Sequence, residues 1–426
     1  NMSKPIAGVL LFGMWGFYLC YLFLGLSPWP SAILAWSAAL LLGPRLDKAA
    51  RRQCSILYGA GLLLLLFCWL NGVRFSAKEL FLPNLDMVAL FTAVSTLNLA
   101  TSVLSDNQQA NWRGWRGLAS SLLGVSLLGA VINMSVLFVV GDRLAVNGTL
   151  DRRQVIILNR IYCAAAFWSP FFIAMAVALT YAPGMQFSRI LPFGLLAAFG
   201  AMVITSWDVW RLGIADFEGY PLRLQTLRLP LLLCIAVLVG KWWWPTLTIT
   251  GIIALMAPLV SLLLMPRQNV LVALKQQVTE RFPAMGSQVV LFLGAGLLAA
   301  GIHGLTQIWS PQALFAHISH YGVIEAALVT LVILVIAYLG VHPIIMTSSL
   351  APLLWHLHPD PSLLGMTFLF AWGLATGATP LSGANLALIA CFRVRAWNML
   401  VWNLGYAVKQ WLWLIALYAL YIWCYL

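Results

Sequence analysis

Gly377-Ala378-Thr379-Pro380-Leu381-Ser382-Gly383-Ala384-Asn385-Leu386 stands inside an apolar run from about Leu363 to Phe392. A run of that length crosses a bilayer as a helix of ~20 residues. Its centre holds two glycines, a proline and several small polar side chains, poor material for a continuous helix. The sequence therefore predicts a helix that breaks near Thr379-Pro380. A simple kink needs only Pro380; the adjoining Thr379, Ser382, Gly383 and Asn385 ask for a further reason. Within lipid, a broken backbone persists only where protein buries it or where it lines a wet cavity. Paired breaks of this kind form the midplane binding sites of membrane carriers.

Working outward, the composition sets the class. Of 426 residues, 62% are hydrophobic and 8% charged, against about 25% charged in a soluble domain. The chain reads as an all-α polytopic membrane protein. Its net charge is +12. In a membrane chain, excess Lys and Arg mark cytoplasmic loops, so nucleic-acid binding is rejected. The seven cysteines are scattered without a CxxC pair and read as core residues, not as a disulfide framework or metal site. Tryptophans cluster at span ends, as in Trp242-Trp243-Trp244, as interface anchors do. The first run, Pro5 to Leu26, reads as a retained helix rather than a signal peptide.

Candidate segments fall at about 5–26, 30–43, 54–73, 84–104, 117–141, 160–182, 190–212, 229–241, 246–265, 286–302, 322–354, 362–392 and 397–424. The basic loop Arg45 to Arg52 places the N-terminus and that loop in the cytoplasm. The loop 105–116, with Arg113 and Arg116, is then also inside. A single crossing by 117–141 would put Arg143, Arg152, Arg153 and Arg160 outside, against the charge rule. A re-entrant hairpin at 117–141, tipped by Ile132-Asn133-Met134-Ser135, removes the conflict. Arg267 to Phe282 has apolar residues at near-helical spacing and reads as an interfacial helix. From His303 to Ser362 there is no Lys or Arg, which fits an external region with a second hairpin, 322–354. About 11 full spans result, with the C-terminus external.

This order repeats. After an extra helix over 1–29, residues 30–212 run as three spans, a hairpin, a span with a polar centre and a closing span. A linker, 213–228, follows. Residues 229–426 run in the same order with inverted orientation. In this alignment Phe167-Trp168-Ser169-Pro170-Phe171 takes the place of Ala378-Thr379-Pro380-Leu381-Ser382. Asn133-Met134-Ser135 takes the place of His342-Pro343 with Thr347-Ser348-Ser349. The fold expected is an inverted-repeat transporter with two re-entrant hairpins and two broken helices, 160–182 and 362–392.

Leu291-Phe292-Leu293-Gly294-Ala295-Gly296-Leu297-Leu298-Ala299-Ala300-Gly301-Ile302, the tip Gly340-Val341-His342-Pro343 and Ser382-Gly383-Ala384-Asn385-Leu386 together resemble the second half of the ion transporter superfamily. That group includes arsenite efflux pumps, citrate carriers and divalent-anion/sodium symporters. The resemblance implies a homodimer built on a scaffold domain, with substrate carried in a domain made of the hairpins and broken helices. Val341-His342 departs from the acidic residue and Asn usual at the arsenite-type tip, and the Ser-Asn-Thr tips of the dicarboxylate symporters are missing.

At the break, the second half-helix presents unpaired N–H groups with partial positive charge, which bind anions without Arg or Lys. Asn133, Ser135, Ser169, Thr379, Ser382, Gly383 and Asn385 are the expected substrate-binding residues, with Ser169 and Asn385 facing a cavity. Carbonyls freed at the ends of the first half-helices suit a cation. His342, at the hairpin tip, is the candidate for proton coupling. Asp208, beside Trp207 and Trp210, reads as interfacial. Ser95, Thr96, Asn98, Thr101 and Ser102 read as polar contacts between helices. The expected function is secondary active transport of a small, carboxylate-like organic anion by elevator-like alternating access. It is coupled to H⁺ or Na⁺, in a bacterial inner membrane, with no other cofactor, and its partners are the substrate and membrane lipids. The alternative is a membrane enzyme or lipid-carrier flippase acting at the outer leaflet, although the chain carries no HExxH or nucleophile-elbow pattern. No GxxxxGK[ST] loop is present either, which argues against ATP coupling within the chain.

Overall fold

The computed structural model describes residues 3–104 and 110–426. Residues 105–109 of the expected inner loop, and the side chains of Thr101 and Ser102, lie outside the described part. In chain order the helices are α1 (Ser3–Leu24), α2 (Trp29–Leu42), α3 (Lys48–Leu70), α4 (Ala77–Phe81), α5 (Leu85–Ser95), α6 (Gly114–Ile132), α7 (Ser135–Leu144), α8 (Arg152–Ala164), α9 (Ile173–Tyr181), α10 (Phe187–Leu212), α11 (Arg228–Trp243), α12 (Ile249–Leu264), α13 (Val270–Gln276), α14 (Phe282–Ala284), α15 (Gly286–Ile308), α16 (Val323–Tyr338), α17 (Pro343–Leu354), α18 (Pro361–Ala378), α19 (Gly383–Phe392) and α20 (Ala396–Tyr425). Among the described residues, eight helical stretches are long and apolar enough to cross a membrane, and shorter apolar helices accompany them. The protein is an all-α polytopic membrane protein.

The chain forms two compact units, and each draws on both halves of the sequence. The first comprises Asn1–Val103, Leu231–Ser319 and Ile344–Leu357. In it α3 packs along α15, α1 along α2, and α5 along α12. The glycines of α15 explain how closely α3 approaches. A Cβ at Gly294 would lie 2.6 Å from the Tyr58 ring, and one at Gly301 would lie 3.2 Å from Leu64. Tyr58 Oη donates to Val290 O at 2.8 Å, and Asn84 Nδ2 to Phe292 O at 2.7 Å. The expected span 84–104 is α5 followed by a 3₁₀ stretch, Thr96–Leu104. Ser95 and Thr96 hydroxyls donate to carbonyls three residues back, at 2.8 and 2.5 Å, and such bonds compete with the α-helical pattern. The expected interfacial helix is α13, then a π-turn over Gln277–Arg281, then α14.

The second unit comprises Leu104–Pro230, His320–Pro343 and His358–Leu426. Helix α18 is its centre, packed against α8, α9, α10, α16 and α20. The chain reverses between α6 and α7. Asn133 has φ +51°, and a Cβ at Gly129 would lie 3.4 Å from Val136 Cγ1, a separation that a continuous helix cannot give to residues seven apart. A second interruption, Leu339–His342, separates α16 from α17.

Helix α8 starts well before the expected Arg160. Asp151 and Gln154 form a capping box: Asp151 Oδ1 accepts from Arg153 N at 3.1 Å, and Asp151 N donates to Gln154 Oε1 at 3.0 Å. Arg160 therefore lies within a helix and is 1% exposed; it is not part of a charged loop. Trp112–Arg113 also pairs antiparallel with Glu218–Gly219, a short ribbon that the apolar pattern did not foretell.

Candidate functional site

Helix α18 ends because Thr379 precedes a proline, which disfavours helical geometry; Thr379 is extended, at φ −79° and ψ 133°. Pro380 has no N–H with which to continue the ladder. Helix α19 restarts at Gly383, capped by Ser382, whose Oγ accepts from Asn385 N at 3.2 Å. Between the two halves Thr379 acts as a latch. Its Oγ1 donates to Ala337 O of α16 at 3.1 Å and accepts from Leu381 N at 3.2 Å.

The last carbonyls of α18 have no intrahelical donors, and Asn385 supplies them. Its Nδ2 donates to Thr379 O at 2.8 Å, Gly377 O at 3.2 Å and Thr376 O at 3.4 Å. Gly377 O also accepts from Asn159 Nδ2 at 2.8 Å. Asn385 Oδ1 is buried and has no partner among the described residues. Gly383, by contrast, is exposed, with open space where a Cβ would stand.

The first break is built the same way. Ser169 Oγ donates to Ala130 O of α6 at 2.5 Å and accepts from Phe171 N at 3.2 Å. In each half, a hydroxyl directly before a proline bonds the first helix of the preceding pair and the amide two residues on. This pairs Ser169-Pro170-Phe171 with Thr379-Pro380-Leu381, one residue out of register with the alignment made from sequence. Ser169 and Asn385 are both 0% exposed, so in this structure neither faces open space as expected. Asn133 Nδ2 points to Phe171 O at 3.4 Å, and Ser135 opens α7, half-buried. The two breaks meet through α8 and α18. Phe167 and Phe370 rings stand 5.5 Å apart, edge to face, and Gly373 and Gly377 face Cys163 and Phe167. Small residues four apart allow this close crossing.

His342 is half-buried beside the second break. Its ring meets Trp372 edge-on at 5.0 Å. Gly340, at φ +88°, turns the chain there, and a Cβ on it would lie 3.3 Å from Leu381.

Sequence reasoning missed an ion pair. Arg160 Nη1 bonds Asp208 Oδ2 at 2.7 Å, Nε bonds Asn403 Oδ1 at 2.8 Å, and Nη2 bonds Trp402 O at 2.6 Å. The Tyr406 ring lies 4.6 Å from the guanidinium carbon, and Lys409 Nζ approaches Asp208 Oδ1 at 3.4 Å. Asp208 is thus the partner of a buried charge. The available signal was Asn403 and Lys409 within the apolar final helix. Among the described residues, no group of three His, Cys, Asp or Glu side chains is placed to hold a metal.

No family model matches the chain, and no curated protein matches it. A solved structure does. The YdaH transporter of Alcanivorax borkumensis, whose crystal structure is described as revealing an unusual topology, matches over 79% of this chain and 84% of its own. The TM-score is 0.52 and the identity 15%. The two chains share a fold. At this identity the likeness speaks for the backbone plan, and the reading of the site rests on this chain's own residues.

Proposed function

We propose that the protein is a secondary active transporter of a small, carboxylate-like organic anion, coupled to H⁺ or Na⁺, and a member of the ion transporter superfamily. The observation that carries this reading is the matched pair of latches. Ser169 and Thr379 make the same two hydrogen bonds at two broken helices within one compact unit. Broken helices in corresponding positions of two halves are the hallmark of carriers with a midplane site. The anionic substrate follows from the open start of α19, where Ser382 and Gly383 lead a half-helix whose N-terminal amides attract negative charge. Asn385 and Ser169 are substrate-linked residues whose present partners are backbone groups, so substrate engages them as the breaks rearrange. The transport cycle proposed is elevator-like alternating access by a homodimer in a bacterial inner membrane, with the N-terminus cytoplasmic and the C-terminus external.

The test is counterflow in proteoliposomes with labelled mono- and dicarboxylates, followed by accumulation under separately imposed proton and sodium gradients. Counterflow of at least one carboxylate supports the reading. Its absence across the series, with protein shown to be folded and correctly inserted, overturns the substrate class.

A further inference from the structure

Outside the two breaks, the first unit holds a half-open cavity of about 220 Å³ with mixed polar and apolar walls. It lies among the first residues of the 3₁₀ stretch after α5, the segment that follows α12, and α13 with its π-turn. Asn98, Gln268, Gln276, Gln277 and Arg281 give it hydrogen-bonding walls, and Met265 and Pro266 an apolar rim. Cavities for drug-sized ligands run ~300–1,000 Å³, so this one suits a smaller group. Gln277 is 3% exposed and anchored by a bond from Nε2 to Ser95 Oγ at 3.1 Å. The π-turn places Gln277 and Arg281 on the same cavity, and π-turns concentrate at functional positions. It is braced from behind, since α1 approaches so closely at Gly8 that a Cβ there would overlap the Val278 carbonyl.

The charge at this cavity has one sign. Arg281 has no ion pair or hydrogen bond among the described residues, and the neighbouring Glu280, which does not line the cavity, accepts from Gln276 Nε2 at 3.2 Å. Beside the polar walls, Leu263, Leu271 and Val272 are 76%, 82% and 65% exposed. In a membrane protein such side chains face acyl chains, and a cationic polar niche next to them matches a phospholipid head group. We infer that this cavity binds the phosphate of an anionic phospholipid, with Arg281 as its charged ligand, Gln268, Gln276 and Gln277 as neutral donors, and α13 packed on the acyl chains. Apolar neighbours favour a lipid over free phosphate. The inference rests on the membrane reading alone and stands apart from the proposed substrate.

The experiment uses the purified full-length protein in detergent, titrated with phosphatidylglycerol, phosphatidylcholine of the same acyl chains, or inorganic phosphate, and read by native mass spectrometry and thermal unfolding. Phosphatidylglycerol is expected to bind and raise the unfolding temperature, while phosphatidylcholine and phosphate do neither. Arg281→Gln is expected to lower phosphatidylglycerol affinity about fivefold, the worth of one cation at a membrane surface. Lys275→Gln and Arg267→Gln, whose side chains lie outside the cavity, should change it less. Equal losses from all three variants reduce the effect to surface charge and overturn the site. Phosphate binding that matches the lipid overturns the lipid assignment. Should Arg281→Gln fail to fold, Gln268→Leu tests the same wall; wild-type lipid affinity in that variant also counts against the site.

Discussion

Gly373→Ala probes the contact that brings the two breaks together. A Cβ there would overlap the Phe167 ring edge and stand 2.8 Å from Cys163 O, more than half an ångström inside the 3.4 Å where ordinary contact begins. Cys163 O is backbone and Phe167 is 1% exposed, so neither yields without moving α8. Overpacking of this kind costs about 1–3 kcal/mol. The movement is transmitted to Ser169, two residues beyond Phe167, whose 2.5 Å bond to Ala130 O holds the first break. Loosening by about 1–2 kcal/mol changes a local opening equilibrium roughly 5- to 30-fold. Cys163, 1% exposed between the two helices, reports it directly. Site-resolved maleimide labelling of Cys163 should accelerate by about that factor, and thermal unfolding in detergent should move to lower temperature. Gly405→Ala is the control, because nothing lies within 4 Å of its Cβ position and alanine is the better helix former. If Gly373→Ala leaves both the Cys163 rate and the unfolding temperature unchanged, α8 and α18 do not meet as described.

Asp208→Asn should destabilise more than Arg160→Gln, by up to about 3–5 kcal/mol. The first strands a guanidinium that is 1% exposed, whereas the second leaves the 20%-exposed Asp208 beside Lys409; thermal unfolding of both variants gives the order. Ser169→Ala and Thr379→Val should each cost about 1 kcal/mol of latch stability and slow counterflow, and Thr379→Ser should restore it; wild-type counterflow in both would place transport elsewhere. His342→Gln tests the coupling role: loss of proton-driven accumulation with exchange intact supports it, and unchanged accumulation removes it. Cysteines placed at Arg51 and Arg152 should be shielded from an impermeant thiol reagent in intact cells while one at His358 is labelled, and labelling at Arg152 from outside would remove the re-entrant reading of α6–α7.

Both breaks were legible because proline and its small polar neighbours act locally: Pro380 stops α18 wherever the rest of the chain lies. The tip at Asn133 was legible through the charge rule, which pointed to a chain reversal near that residue, where the structure has its positive φ. The role of Asn385 was only half legible. Its position marked it as polar within the break, but three carbonyls converge on its amide only once the first turn of α19 is set beside the end of α18. The start of α8 should have been read, since Asp151-Arg152-Arg153-Gln154 is a capping-box sequence. Arg143, Arg152 and Arg153 by charge alone resemble a solvated loop.

Arg160 shows where a one-dimensional charge rule stops. The rule treats each cation as a solvated topological marker, but a guanidinium that finds a carboxylate, an amide oxygen, a carbonyl and an aromatic face is no longer solvated. Asp208, Asn403, Trp402 and Tyr406 reach it from α10 and α20, far apart in the chain, so no window of sequence contains the site. Leaving any of these groups unpaired within the membrane is costly. The network therefore fixes α8 against α10 and α20 about nine residues before Ser169, while Asn385 and Thr379 fix the other break from α19 and α16. Each break is held by polar contacts whose buried groups need new partners if the break is to open.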